Sequence, residues 1–140
     1  MACCVTAWAQ PMNDTCDMAE VVTDGTTAFD TTLATTSGAG THAINQDLWY
    51  EYTATCDGNL LIDLCGSGFD TKIAVWDGCP SSGGAELAYN DDSCGLQSAV
   101  SIVGALTGDT VYIQVGGYGS SSGSGVLNIE CWVPPPPPIN

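Results

Sequence analysis

The feature that most limits how this chain can fold is its punctuation. Turn signals return every eight to twelve residues: Asp24-Gly25, Ser37-Gly38, Asp57-Gly58, Gly66-Ser67-Gly68, Asp77-Gly78, Gly83-Gly84, Gly108-Asp109 and a glycine-rich run over 116–125. Between them lie short runs rich in β-branched and aromatic residues, at 20–22, 26–30, 47–55, 59–64, 71–76, 86–90, 99–103, 110–116 and 125–131. Short, evenly spaced strands broken by Gly and Asp specify an all-β, antiparallel sandwich. No window carries a helical stripe. Alternation sets the faces: Leu48, Tyr50 and Tyr52 oppose Trp49, Glu51 and Thr53, Ile73 and Val75 oppose Ala74 and Trp76, and Val111, Ile113 and Val115 oppose Tyr112 and Gln114. Side chains alternate across a strand, so the aliphatic sets are expected inward and the others outward.

One sandwich is what 140 residues can build around a single core. Eight cysteines staple it: Cys3, Cys4, Cys16, Cys56, Cys65, Cys79, Cys94 and Cys131. Zinc sites use paired C-x-x-C knuckles, and there are none here. Scattered cysteines of even number in a Gly/Ser/Thr-rich chain read as disulfides of an oxidising compartment, hence a secreted or cell-surface protein. The hairpin over 71–90 is expected to bring Cys79 to Cys94. Cys16, Cys56, Cys65 and Cys131 would form two more bridges of open connectivity. Cys3 and Cys4 are surplus and could bridge a neighbouring chain, pair with each other, or pack.

Charge excludes several partners. Sixteen carboxylates face one cation, Lys72, for a net charge of -15. Such a surface cannot neutralise the phosphates of nucleic acid, and it is repelled by anionic membranes. It suits divalent cations or neutral glycans, and equally serves solubility alone. No stretch is long and apolar enough to span a bilayer as a helix.

Two segments fall outside the strand pattern and divide the chain into residues 1–12, a sandwich over 13–133, and a tail over 134–140. The first carries Cys3, Cys4, Val5 and Trp8 in an apolar, uncharged, β-prone run. Exposed, such a run aggregates. Its Ala7-Trp8-Ala9 has the form of an export cleavage site but lacks a basic start. Added to an open sheet edge of another copy, it would make a head-to-tail contact that builds open filaments unless it closes into rings. The last segment holds five consecutive prolines, Pro134 to Pro138, a stiff polyproline II rod without donors for a sheet.

From Asn13 onward a further pattern stands out. Asn-Asp-Thr-Cys (13–16) is followed by Val-Val-Thr-Asp-Gly-Thr-Thr-Ala-Phe-Asp-Thr-Thr (21–32), Asp-Leu-Trp-Tyr-Glu-Tyr-Thr-Ala-Thr-Cys-Asp-Gly-Asn-Leu (47–60) and Phe-Asp-Thr-Lys-Ile-Ala-Val-Trp-Asp-Gly-Cys (69–79). Then come Tyr-Asn-Asp-Asp-Ser-Cys (89–94), Tyr-Ile-Gln-Val-Gly-Gly-Tyr (112–118) and Gly-Ser-Gly-Val-Leu-Asn-Ile-Glu-Cys (123–131). The series resembles the bacterial pre-peptidase C-terminal-like domains, in a cysteine-bearing version. The resemblance covers about residues 13–131. It implies a jelly-roll-like sandwich, secretion, no catalysis, and an accessory role in export, adhesion or polysaccharide binding, with calcium bound in some members. It does not account for the two tails.

The sharpest candidate site is for Ca²⁺. In an antiparallel hairpin the start of one strand faces the end of the other, so Asp70 should lie near Asn90, Asp91 and Asp92. Carboxylates and an amide carbonyl are hard oxygen ligands suited to calcium, and without a cation their charges repel. The same residues could instead cap their own turns. Catalysis finds little support, since the one histidine, His42, sits in a Gly/Thr loop and no serine occupies a nucleophile elbow. Tyr50, Tyr52, Trp76, Tyr112 and Tyr118 could form a sugar-stacking face. Asn13-Asp14-Thr15 is an N-x-T acceptor for N-glycosylation. These features point to a non-catalytic extracellular protein, a self-assembling fibre subunit or else a calcium-dependent adhesion or polysaccharide-binding module.

Overall fold

The fold was obtained as a computed structural model and is described for residues 9–139. Nine strands form: β1 (Glu20–Val22), β2 (Gly25–Asp30), β3 (Asn45–Thr53), β4 (Gly58–Asp63), β5 (Thr71–Trp76), β6 (Glu86–Asn90), β7 (Ala99–Ala105), β8 (Thr110–Gly117) and β9 (Ser124–Trp132). Each coincides with one of the nine runs expected from the turn spacing, with ends moved by at most two residues. They make two sheets, ordered β1-β3-β8-β5-β6 and β2-β9-β4-β7. Every pairing is antiparallel except that of β1 with β3, which is parallel. The architecture is a disulfide-stapled β-sandwich.

The inward sets are as the alternation predicts. Leu48, Tyr50 and Tyr52 of β3, Ile73 and Val75 of β5, and Val111, Ile113 and Val115 of β8 pack against Phe29, Leu60, Ile62, Leu127 and Ile129 of the other sheet. Full burial of such side chains contributes about 1.5–3 kcal/mol each, and this layer is the main source of stability.

The outward sets behave differently from expectation. Trp49 and Trp76 point away from this core, yet they are only 1% and 6% exposed. A second apolar cluster forms on the outer face of the five-stranded sheet, where Cys16, Ala19, Ala39 and Ile44 lie over Trp49, Ala74 and Trp76. The covering residues come from the segment before β1 and the loop before β3. Asn13 anchors the first of these. Its carbonyl accepts the Trp49 N–H at 2.9 Å, and its side-chain amide donates to the Trp49 carbonyl at 3.0 Å. Gly116 makes the close approach of the second possible, because a Cβ there would sit 2.6 Å from Ile44 Cγ2 and 2.7 Å from the Asn45 carbonyl.

This cover corrects three expectations. Asn13 is 8% exposed and its side-chain nitrogen donates to Trp49, so the N-x-T signal lies under the cover and not on the surface. The disulfides are Cys16–Cys79, Cys56–Cys131 and Cys65–Cys94, not Cys79–Cys94. Cys79 follows β5 at the turn end of its hairpin, whereas Cys94 follows β6 at the opposite end. Five strand residues place those ends roughly 17 Å apart, beyond the ~7 Å Cα separation a disulfide spans. The five aromatic residues do not share a face either. Tyr50 and Tyr52 are in the inter-sheet core, Trp76 lies under the cover, Tyr112 donates to Glu51, and Tyr118 is exposed.

Residues 1–8, which carry Cys3, Cys4, Val5 and Trp8, lie outside the described residues. Pro134–Pro138 follow the last strand, exposed and outside both sheets. No helix among the described residues is long and apolar enough to cross a membrane.

Candidate metal centre

The register of the β5–β6 hairpin, with Ile73 opposite Asn90, returns the chain to the start of β5. Asp70, just before β5, therefore meets Asp91 and Asp92, just after β6. One carboxylate oxygen from each lies within 4.8 Å of the others. The corner is held from several sides. The Ser98 hydroxyl donates to the Asp91 carbonyl at 2.6 Å and lies 3.0 Å from the Thr71 hydroxyl. Both Ser98 and Thr71 are fully buried. Gln97 donates its amide to the Phe69 carbonyl at 3.1 Å, the Tyr118 N–H reaches the Asp70 carbonyl at 3.0 Å, and Cys65–Cys94 ties the loop to the end of β4.

The electrostatics are unresolved by protein groups. Asp70 Oδ1 and Asp91 Oδ1 are buried and have no hydrogen-bond partner among the described residues. Burial pushes the Asp70 carboxyl above the usual carboxylate range, the charges of Asp92 and Asp91 push it further, and Lys72 opposes them. Lys72 does not pair with the cluster. Its ammonium donates to the His42 carbonyl at 2.6 Å and sits 5.0 Å from the centre of the Tyr118 ring. Orphaned buried acceptors are rare because each costs the full desolvation of a polar group. Three converging carboxylates with two such oxygens fit a divalent cation. The donors are all hard oxygens, which suits Ca²⁺, and the count of carboxylates exceeds the one or two typical of Mg²⁺.

Of the four expected ligands, Asp70, Asp91 and Asp92 come together. The side-chain oxygen of Asn90 accepts the Ala99 N–H at 3.1 Å and ties β6 to β7. Ser98 and Thr71, which position the Asp91 backbone, carry no signal in the sequence beyond being small polar residues. His42 is half-buried, stacked on Tyr89 at 3.6 Å, with Nε2 3.0 Å from Glu86. It helps close the cover onto β6.

No protein-family profile matches this chain, and no curated protein matches it. Solved structures do. The pre-peptidase C-terminal domain of a collagenase from Bacillus anthracis aligns over 80% of this chain and 94% of its own, with a TM-score of 0.54 and 16% identity. The fold is that of a pre-peptidase C-terminal domain. PliG of Aeromonas hydrophila, a periplasmic inhibitor of g-type lysozyme, aligns over 80% of this chain and 99% of its own, with a TM-score of 0.45 and 15% identity. The three disulfides of this chain fit an oxidising compartment.

Proposed function

We propose that this chain is a non-catalytic extracellular module that binds one calcium ion at the Asp70–Asp91–Asp92 corner and uses it to fix the loop between β6 and β7. The observation that supports this reading is the pair of buried, unpartnered carboxylate oxygens. Repulsion among the three charges strains the apo corner, and a bound cation converts it into a clasp between the ends of β5 and β6. A ligand that binds only the folded state stabilises by mass action, by about 2.7 kcal/mol at a hundred times its Kd. The test is thermal melting in chelator and in millimolar calcium. The native chain should gain stability with calcium and Asp70→Asn should not. In chelator Asp70→Asn should melt at or above the native chain, because it removes a repelling charge. Equal melting of the native chain with and without calcium sinks the site.

A second reading concerns what the module is for. Exposed apolar side chains on and beside the two edge strands support self-assembly: Leu87, Val103 and Leu106 are 44%, 81% and 60% exposed. On this reading the chain is a subunit of an extracellular fibre, with calcium stiffening each unit. Calcium-dependent adhesion to a glycan is the other use of the same module. Electron microscopy of the purified chain separates them, since filaments are expected on the first and single particles on the second.

A further inference from the structure

Both sheets end on the same side of the sandwich. β6 closes one and β7 the other, and each pairs with a single neighbour. Between them runs a groove of about 340 Å³ that reaches the inter-sheet core, lined by Leu60, Leu87, Ile102, Ala105 and Val111 and rimmed by Asp77 and Asp109. Leu60 and Val111 are core residues, 0% and 4% exposed, so the groove is a gap in the side of the sandwich. The exposed Val103 belongs to the same strand, and Leu106 follows it directly.

Resting on the fibre reading, we infer that this groove receives the N-terminal segment of a second copy, laid along β7 as an added strand. Two observations carry the choice of occupant. First, residues 1–13 contain no carboxylate in a chain of net charge -15, so this apolar segment can approach the acidic rim without the repulsion that opposes contact between the bodies of two copies. Second, it starts from the opposite edge. Ala9 lies beside Asp30 and Leu33, at the end of β2, and β2 is the far edge strand of the sheet that β7 terminates. A strand outside β7 lies four strand spacings from β2, roughly 19 Å even by a straight path, whereas the β7 edge of a neighbouring copy can be brought directly to the β2 end. Contact from the β2 edge of one copy to the β7 edge of the next is heterologous and repeats into a filament unless the rotation between copies closes a ring.

The inference predicts which part of β7 is used. A bulge interrupts its pairing with β4 between Gly58 and Leu60, at the level of Val103 and Gly104, and bulges blunt an edge. Ala99 already donates to Asn90. Backbone pairing is therefore short and centred on Ser101, and apolar contact with Leu87, Ile102 and Val103 supplies the rest.

The experiment uses full-length chain, a deletion of residues 1–10, and Val103→Lys with Leu87→Lys, observed by sedimentation and electron microscopy. Both changed side chains are exposed, so the doubly substituted domain should melt within a few degrees of the native one. The native chain should polymerise and each variant should stay monomeric. Mixed, the two variants should form a one-to-one dimer and nothing larger, because the substituted chain keeps its strand and the deleted chain keeps its groove. If the native chain polymerises and the lysine variant polymerises equally, the strand docks elsewhere and this inference fails while the fibre reading stands. If the native chain is monomeric at all concentrations, both fail.

Discussion

The two outer faces of the sandwich have opposite fates. On the five-stranded sheet the outward residues Trp49, Ala74 and Trp76 are roofed by residues that precede β1 and β3, and the roof is closed by Cys16–Cys79. On the four-stranded sheet the outward residues Ala28, Leu61, Val103 and Val126 lie under no described segment and are half-buried or exposed. The difference follows from what each face must satisfy. Two tryptophans are too large to leave in water, and covering them buries backbone and polar groups that need partners. Asp47 supplies several of these: its carboxylate accepts the Ser37 N–H at 2.8 Å, the Ser37 hydroxyl, and the Gln114 amide at 2.8 Å, while Gln114 in turn accepts the Trp76 N–H at 3.1 Å; the Trp49 indole N–H has no partner among the described residues. The bare face has no aromatic side chain among these outward residues, only aliphatic ones no larger than leucine, with Asp63, Asn128 and Glu130 between them. Stability outside the main core is thus concentrated on one face, and the other sheet keeps a bare face and an open β7 edge.

The comparison can be broken hardest at Trp76. Trp76→Ala should cost about 4–5 kcal/mol, because it opens a cavity under the roof and leaves the Gln114 oxygen without its donor. Denaturant unfolding would measure it, and a loss near 1 kcal/mol would mean that the roof is not a packed layer. Replacing Cys16 and Cys79 together by alanine should cost about 4 kcal/mol, the loop-entropy value for a separation of 63 residues. It should also raise hydrogen exchange in 37–44 while leaving the strands protected, since the roof opens before the sandwich does.

How far these features could be read in advance follows from the range of the contacts involved. The strands and their inward faces were legible because alternation is a local signal, and Leu48, Tyr50 and Tyr52 declare their side within five residues. The carboxylate corner was legible for a related reason. A hairpin fixes its own register, so Asp70 and Asp91-Asp92 meet whatever the rest of the chain does. The bond from the Ala99 N–H to the Asn90 side-chain oxygen was not, because β7 belongs to the other sheet. The roof was not legible at all. Nothing near Trp49 announces that Asn13, 36 residues earlier, will lie over it, and an outward tryptophan in a strand reads the same whether roofed or bare. The Cys16–Cys79 pairing depends on that roof, so it was hidden with it.

The smallest expected effect tests the other side of the comparison. Leu61 stands on the bare face, between Ser101 of β7 and Glu130 of β9, half-buried by its neighbours alone. Leu61→Thr keeps a good strand former and removes apolar surface that folding leaves partly wet, so the monomer should lose no more than about 0.5–1 kcal/mol. Measured in dilute solution, a loss of 3 kcal/mol or more would show that this face is covered after all. Measured against concentration, the value separates two covers: one supplied by residues 1–8 of the same copy costs the same at every concentration, whereas one supplied by a neighbour appears only where copies associate. A small, concentration-independent loss leaves the roofed face as the stabilising one and the bare face as surface held open.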